Sequence, residues 1–168
     1  AYAGDVVGVV GNYDLRIGDT LTQIPGVVFD ETPRFVPECF AHLHSTSTAH
    51  YKRFQEGLDQ LLQEGVVQRF FQPHAAQRIP LLGAVGPLQF EVVQYRLKSE
   101  YNAEARLEVS PYNTIRWLRR KDGGEWDDDA VQLPSGTILA RDEEDRAVIL
   151  MSDAWTERFF ATRNEGID

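Results

Sequence analysis

Apolar residues recur with helical spacing in two stretches of the chain. In residues 47–65 the apolar positions follow the spacing i, i+4, i+7 and i+8, and they are Phe54, Leu58, Leu61 and Leu62. Ser47 or Thr48 is expected to cap the start of this helix, and Gly65 is expected to end it. The spacing predicts an amphipathic helix that buries this face.

The second stretch covers residues 87–102. Its apolar stripe contains Leu88, Val92 and Tyr95, with Val93 and Leu97 beside it. Asn102 tolerates the left-handed conformation of a helix C-cap, so the helix is expected to end there.

Shorter apolar runs flank the two predicted helices and alternate with polar residues, as strands do. These runs lie in residues 34–45, 66–73, 78–85 and 103–109. Pro37 predicts an edge position or a bulge for the first strand, because proline cannot donate to a strand ladder. The order strand, helix, strand, strand, helix, strand predicts an α+β fold, a ferredoxin-like split βαβ (βαββαβ) domain with both helices on one face.

Further elements are expected on both sides of this domain. Residues 6–10 predict a strand, and a second strand is expected after a turn at Asn12 and Asp14. We interpret them as the last strands of a β-barrel, with a domain boundary near Pro33 that separates residues 1–32 from 33–168. The absence of an initiator methionine suggests a chain cut from something longer. After Pro111 three extra strands are predicted within TIRWLRR, GTILA and RAVILM, followed by a final helix capped by Asp153.

The stretch LLGAVGPLQFEVV, residues 81–93, places two glycines between a predicted strand and the second helix. A loop that binds phosphate needs free backbone N–H groups and usually a lysine, as in GxxxxGK[ST]. Pro87 lacks an N–H, and proline favours the first position of a packed helix. The stretch therefore predicts a structural corner, in which Gly83 and Gly86 let strand and helix approach closely.

Charge is distributed unevenly along the 168 residues, whose formal net charge is −9. Residues 1–121 contain 13 basic and 13 acidic residues, so the whole excess of acid lies in residues 122–168. Averaged charge can hide a basic face on the first part, although scattered solvated charges are the alternative. The basic residues concentrated there are Arg96, Lys98, Arg106, Arg116, Arg119, Arg120 and Lys121. The tandem acids Asp127 to Asp129 and Asp142 to Asp145 lack a calcium pattern and are expected in solvated turns.

No constellation of catalytic residues is visible. His42 and His44 share one face of a predicted strand, with His50 nearby. Together with the acids of residues 122–168, the two strand histidines raise the alternative of a metal-dependent hydrolase. No second cluster with ligand spacing supports that alternative. Cys39 is the only cysteine, and nothing around it predicts a lowered thiol pKa. We therefore predict no catalytic, cofactor-binding or metal-binding residue, and a cytoplasmic protein without a membrane segment.

The run VGPLQFEVVQYRLKSEYNAEARLE, residues 85–108, resembles domain III of the translational GTPases. Together with AGDVVG, IGDTLT and EGVVQ, it is most similar to the class II bacterial peptide-chain release factors, a family related to elongation factor G. The resemblance implies that residues 1–32 end domain II and that residues 33–168 form domain III. It also implies a parent GTPase whose G domain, with its GTP or GDP and Mg²⁺, lies outside this chain.

Proteins of this family bind the ribosome and promote dissociation of class I release factors after translation termination. The resemblance therefore implies a ribosome-binding and relay module whose partners are ribosomal RNA, ribosomal protein and its own G and barrel domains. From charge placement we predict ribosome or RNA contacts at Arg96, Lys98, Arg116, Arg119, Arg120 and Lys121. The alternative is a free-standing ferredoxin-like domain that binds a small ligand or regulates a partner.

Overall fold

The computed structural model describes residues 2–11, 15, 18–29, 35–73 and 79–168, without the side chain of Ala154. The chain divides into two compact units, Ala1–Pro33 and Arg34–Asp168. The turn expected at Asn12 and Asp14 and the boundary expected near Pro33 fall outside the described residues.

The described part of the first unit contains turns and extended segments but neither a strand nor a closed barrel. The strands predicted over residues 6–10 and in the following segment are therefore not formed there. Val6 and Val10 are 100% and 96% exposed. A strand needs a hydrogen-bonded neighbour and an apolar surface to cover one of its faces, and an isolated hairpin is marginal in water. The described residues of this unit provide no such neighbour.

The second unit contains the predicted ferredoxin-like domain. Its elements are β1 (Cys39–Ser45), α1 (Tyr51–Gln63), β2 (Gln68–Phe70), β3 (Leu81–Ala84), α2 (Pro87–Tyr101) and β4 (Ala105–Val109). The four strands form an antiparallel sheet in the order β2-β3-β1-β4, which confirms the βαββαβ arrangement. β1 is central, so the edge position expected from Pro37 is wrong, because the strand begins only after the proline.

Both helices cover the same face of this sheet. Ala41 and Leu43 of β1 lie in a core with side chains of α1 and α2. From the helices this core takes Phe54, Leu58, Leu61, Leu62, Phe90, Val93 and Leu97. The predicted apolar face of α1 is therefore confirmed as its buried face.

The helix ends follow the sequence signals only in part. Asn102 adopts the left-handed conformation at the end of α2 (φ 51°, ψ 39°), and Gly65 has φ +70° just beyond α1. Both helix ends were predicted. The start of α1 was not, because His50 is its N-cap residue and makes no capping hydrogen bond through its side chain.

A second antiparallel sheet covers the other face of the first. It consists of β5 (Thr114–Trp117), β6 (Ile138–Arg141) and β7 (Ala147–Met151) in the order β5-β7-β6, and α3 (Ala154–Arg163) follows β7. Phe40 and Leu81 of the first sheet pack against this second sheet in a common core. These extra strands and the final helix were predicted, as was the N-cap of α3, where Asp153 accepts the N–H of Thr156 at 2.8 Å.

The acidic segment between β6 and β7 is not a fully solvated turn. Asp142 is buried and accepts hydrogen bonds from Trp117 Nε1 at 2.8 Å and from Arg146 Nε at 2.7 Å. Burial alone would raise the pKa of Asp142, but these hydrogen bonds outweigh it, so the pKa lies below its usual value. The expectation of a solvated turn is wrong at this position, because the carboxylate ties the β6–β7 connection to β5.

Candidate interaction surfaces

The outer face of α2 is apolar and exposed. Leu88 and Tyr95 are 67% and 73% exposed, and Val92 on the same helix and Val85 just before it are exposed too. The core instead receives the neighbouring stripe, Phe90, Val93 and Leu97. Both stripes have helical spacing, and the sequence favoured Leu88, Val92 and Tyr95 as the leading one. α2 is therefore apolar on two sides, and the described residues of this chain cover one of them. We call Val85, Leu88, Val92 and Tyr95 the outer stripe.

The corner before α2 has little capacity to bind an anion. Gln89 Oε1 accepts hydrogen bonds from the N–H of Val85 at 2.7 Å and from the N–H of Gly86 at 3.3 Å. Pro87 has no backbone N–H to offer. Gln89 also donates through Nε2 to the carbonyl of Val66 at 2.9 Å, which ties the helix to the loop before β2. This corner does not fit a nucleotide phosphate. Sequence reasoning missed Gln89, although glutamine three residues after an N-cap is a known capping signal.

Only one of the two corner glycines is needed for close approach. A Cβ on Gly83 would lie 2.7 Å from Phe70 Cε2 and 2.9 Å from Pro37 Cβ, so β2 and the segment before β1 can approach this position only because it is glycine. At Gly86 an added Cβ would meet no atom within 4 Å. Gly83 therefore does allow a close approach, but of β2 and the segment before β1, not of strand and helix as predicted. The role predicted for Gly86 is wrong.

The predicted basic residues lie on two different parts of the domain. Arg96 and Lys98 are on α2, and the others are on β5 or just after it, so the two groups flank opposite faces of the first sheet. Arg96 bridges Glu64 and Glu100 on the helical side. Lys98 Nζ lies 2.8 Å from Glu104 Oε1. The structure does not bring the six residues together into one basic face.

The group at Arg116 to Lys121 contacts the acidic end of the chain. Arg116 Nε lies 2.7 Å from Glu157 Oε1, and Arg119 Nη2 lies 2.9 Å from Asp168 Oδ2. Backbone hydrogen bonds in both directions between Arg119 and Asp168, at 2.8 and 3.0 Å, hold the last residues beside this segment. Lys121 Nζ donates to the carbonyl of Glu165 at 2.6 Å.

Arg120 pairs with a residue two positions away. Its guanidinium contacts Asp122 Oδ2 at 2.5 Å, and this hydrogen bond, with the N–H of Gly124, lowers the pKa of Asp122 to about 2. All three arginines of residues 116–122 are therefore paired with carboxylates, whereas Lys121 contacts a backbone carbonyl. We call Arg116, Arg119, Arg120 and Lys121 the β5 basic segment.

The two strand histidines lie on the face of β1 that also carries Phe40. Glu108 Oε2 lies 3.1 Å from His44 Nε2 without hydrogen-bond geometry, and His42 Nδ1 has no hydrogen-bond partner in the part of the chain that the structure describes. Burial lowers the pKa of His42, and the neighbouring His44 lowers it further. Among the described residues, no group of three or more His, Cys, Asp or Glu side chains is arranged to hold a metal ion.

The outer face of α3 carries a stacked row of side chains that sequence reasoning missed. The rings of Trp155 and Phe159 stack with centroids 5.3 Å apart at an interplanar angle of 14°. Arg163 Cζ lies 4.7 Å from the centroid of the Phe159 ring. Trp155 is 68% exposed. The spacing i, i+4, i+8 was visible in the sequence and could have revealed this row.

Comparisons with known proteins place the chain in a family. The family model described as class II release factor RF3, C-terminal domain, matches residues 29–161. Peptide chain release factor 3 of Gloeobacter violaceus is 40% identical over 164 residues, which are 98% of this chain and 30% of that relative. The protein of the same name from Symbiobacterium thermophilum is 37% identical over 167 residues, 99% of this chain and 31% of the relative.

The chain therefore belongs to the family of class II release factor RF3 C-terminal domains, which confirms the resemblance noted in its sequence. It spans about 30% of the length of the curated relatives it matches. None of the helices in the described part of the chain is long and apolar enough to cross a membrane.

Proposed function

We propose that this chain is the ribosome-binding and conformational relay module of a GTPase that promotes dissociation of class I release factors from cytoplasmic ribosomes after translation termination. The observation that carries the proposal is the family match over residues 29–161, on a ferredoxin-like domain with added strands and a final helix. In this proposal the chain itself is not an enzyme. We assign GTP or GDP and Mg²⁺ to a G domain outside it, in line with the corner before α2, which does not fit a nucleotide phosphate.

The β5 basic segment is the better candidate for ribosomal RNA contact within this proposal. The Arg119 side chain is 82% exposed, whereas that of Arg96 is 24% exposed and bridges two carboxylates. Exposed ion pairs are worth about 0–1 kcal/mol, so an RNA phosphate can replace Asp168 at Arg119 with little loss. Such contacts position the protein without reading base sequence.

Charge changes at this segment test the contact. Replacing both Arg119 and Arg120 with glutamate should weaken binding of the chain to ribosomes and reduce the slope of log affinity against log salt by about 1–2. Asp168→Asn should strengthen binding, because it frees Arg119. Lys52→Glu is the matched control, since Lys52 is 88% exposed in its side chain, lies on α1 and pairs only loosely with Glu56 at 3.7 Å.

The outcomes separate the competing functions. Unchanged affinity and salt slope in the Arg119→Glu/Arg120→Glu variant would remove the ribosome contact from this segment. A folded chain that does not bind ribosomes at any salt concentration would favour the alternative of a free-standing ligand-binding or regulatory domain.

The relay part of the proposal rests on the outer stripe of α2. Exposed apolar surface of this kind marks an interface, and interfaces between permanently associated partners are the more apolar ones. The relatives are longer than this chain, so their remaining domains are the occupants we propose for the stripe. A rigid domain held at such an interface can transmit a rotation of its neighbour to the ribosome.

Polar substitution of the stripe should separate relay from folding. Leu88→Ser with Tyr95→Ser should leave the urea midpoint of this chain within the range of surface substitutions, about ±0.5 kcal/mol, because both side chains are exposed. In a chain extended to the length of its relatives, the same pair should impair release-factor dissociation while ribosome binding persists. Glu91→Gln, on the exposed side of α2, is the control. Full dissociation activity in the double variant would refute the role of the stripe.

A further inference from the structure

Helix α3 has one buried side and one side that carries large unburied side chains. Thr156, Phe160 and Asn164 are buried, and Phe160 packs against the second sheet. The outer side carries Trp155 and Phe159, stacked on each other, with the guanidinium of Arg163 over the Phe159 ring. Because a helix advances only 40° over four residues, these three side chains form one continuous row.

The contribution of this row to the stability of α3 does not explain its presence. Side-chain pairs at i, i+4 add little to the stability of an isolated helix, and pairs of ordinary long side chains add about as much as aromatic pairs do. A tryptophan that remains 68% exposed forgoes most of the free energy of burying its ring. The stacked pair keeps the indole in a fixed orientation with its opposite face open to solvent.

The charges around the row favour an anionic ligand. Arg158 and Arg163 have no acidic partner among the described residues, in contrast to the three arginines of the β5 basic segment, each of which pairs with a carboxylate. The nearby acids are already engaged, since Asp153 caps the helix and Glu157 pairs with Arg116. Arg158 lies three residues after Trp155, one turn along the same side of the helix.

We propose that this outer face of α3 is a binding site for single-stranded RNA. Trp155 stacks with an unpaired base on its open face, Phe159 supports the indole from behind, and Arg158 and Arg163 contact the flanking phosphates. An aromatic face with adjacent guanidinium groups is the chemistry by which proteins bind unstacked bases. The chain has a net charge of −9, so non-specific attraction of RNA is unfavourable and the affinity must come from this local arrangement.

The site is distinct from the β5 basic segment and adds a stacking contact to the proposed ribosome binding. Its test does not require a ribosome. A fluorescein-labelled, unstructured ten-nucleotide RNA is titrated with the chain at low salt, and binding is followed by fluorescence anisotropy. Trp155→Ala should weaken binding by about 5- to 150-fold, the range for loss of one base–aromatic stack. Trp155→Phe should retain most of the affinity.

Three further variants identify the nature of the contact. Trp155→Leu keeps apolar area but removes the aromatic face, so it should bind as weakly as Trp155→Ala. Arg158→Gln and Arg163→Gln should each reduce the salt slope by about 0.7. Phe35→Ala is the control, because Phe35 is an equally exposed aromatic residue, 74%, at a distant position in the sequence. Circular dichroism and the urea midpoint establish that each variant is folded.

The result that overturns the proposal is equal RNA affinity of Trp155→Ala and the unchanged chain, or no RNA binding by the unchanged chain. Full binding by Trp155→Leu would also overturn it, since a purely apolar contact fits a protein partner instead. Failure of the ribosome proposal would give a different result. The Arg119→Glu/Arg120→Glu variant would then bind ribosomes with unchanged affinity. The oligonucleotide would still bind the Trp155→Ala variant more weakly than the unchanged chain.

Discussion

Gly57 in the middle of α1 faces side chains of α2 at close range. A Cβ added at this position would lie 2.7 Å from Cγ and Cδ2 of Tyr101 and 2.9 Å from Cδ2 of Leu97. In an open helix, replacing glycine with alanine stabilises by about 1 kcal/mol. Here the methyl group overlaps the base of an aromatic ring, which cannot rotate away as the end of a flexible chain can.

We therefore expect Gly57→Ala to destabilise the chain. Overpacking costs about 1–3 kcal/mol. Moving the Tyr101 ring would also break its hydroxyl's hydrogen bond to Gln60 Oε1, at 2.5 Å, a contact worth about 1 kcal/mol or less at an exposed site. Set against the helix propensity gained, the free energy of unfolding should fall by about 1–2 kcal/mol. Urea unfolding followed by circular dichroism measures this as a shift in midpoint at constant slope.

The same substitution in a Tyr101→Ala background tests the cause. Without the ring, only the mobile end of Leu97 remains in the way, so Gly57→Ala should become neutral or stabilising by up to about 1 kcal/mol. The coupling energy in the double-mutant cycle should thus be about 2 kcal/mol. A stabilising effect of Gly57→Ala alone, or a coupling below about 0.5 kcal/mol, would refute the argument from close helix contact.

Three further expectations concern the core, a helix cap and pH. Leu61→Ala should lower the free energy of unfolding by about 2–5 kcal/mol, because Leu61 is fully buried in the core beneath the helices, and a loss below 1 kcal/mol in urea unfolding would contradict this. Asp153→Ala should lower it by about 0.5–2 kcal/mol through loss of the α3 cap, while Asp153→Asn keeps the acceptor and most of the stability. Burial is the larger cause, and the neighbouring His44 a smaller one, of the depressed pKa of His42 in the folded chain. The unfolded chain therefore binds the proton more readily. Stability should fall as the pH drops below the unfolded pKa of about 6.5, and His42→Gln should flatten that part of the urea-midpoint profile; an unchanged profile would assign the effect to other groups.

The sequence by itself determined the elements of the second unit and their order. Phe54, Leu58 and Leu61 predict α1 because spacing of four and three residues has one structural solution, a helix with one buried side. Alternating runs around the two helices predict four strands, and the structure confirms that these strands form the ferredoxin-like sheet. Local signals at Asn102 and Asp153 were sufficient for two helix ends, since the conformation and hydrogen bonds of a cap involve only adjacent residues.

Contacts between distant residues could not be predicted in this way. Two stripes on α2 have equal helical spacing, and only packing against β1 and α1 decides that Phe90 is buried and Leu88 exposed. The burial of Asp142 depends on Trp117, 25 residues earlier in the chain. Strand formation in the first unit requires a neighbouring strand, which an alternating pattern cannot supply by itself.

The same difference between local contacts and contacts between distant residues applies to the candidate surfaces. The spacing of Trp155, Phe159 and Arg163 was visible in the sequence, because it is local to one helix. The pairing of Arg119 with Asp168, 49 residues away, was not, and it neutralises one charge of an apparent basic cluster. Charge counted along a chain indicates which ions are present. Only the tertiary structure decides which of them are already paired, because Coulomb energy depends on distance in space.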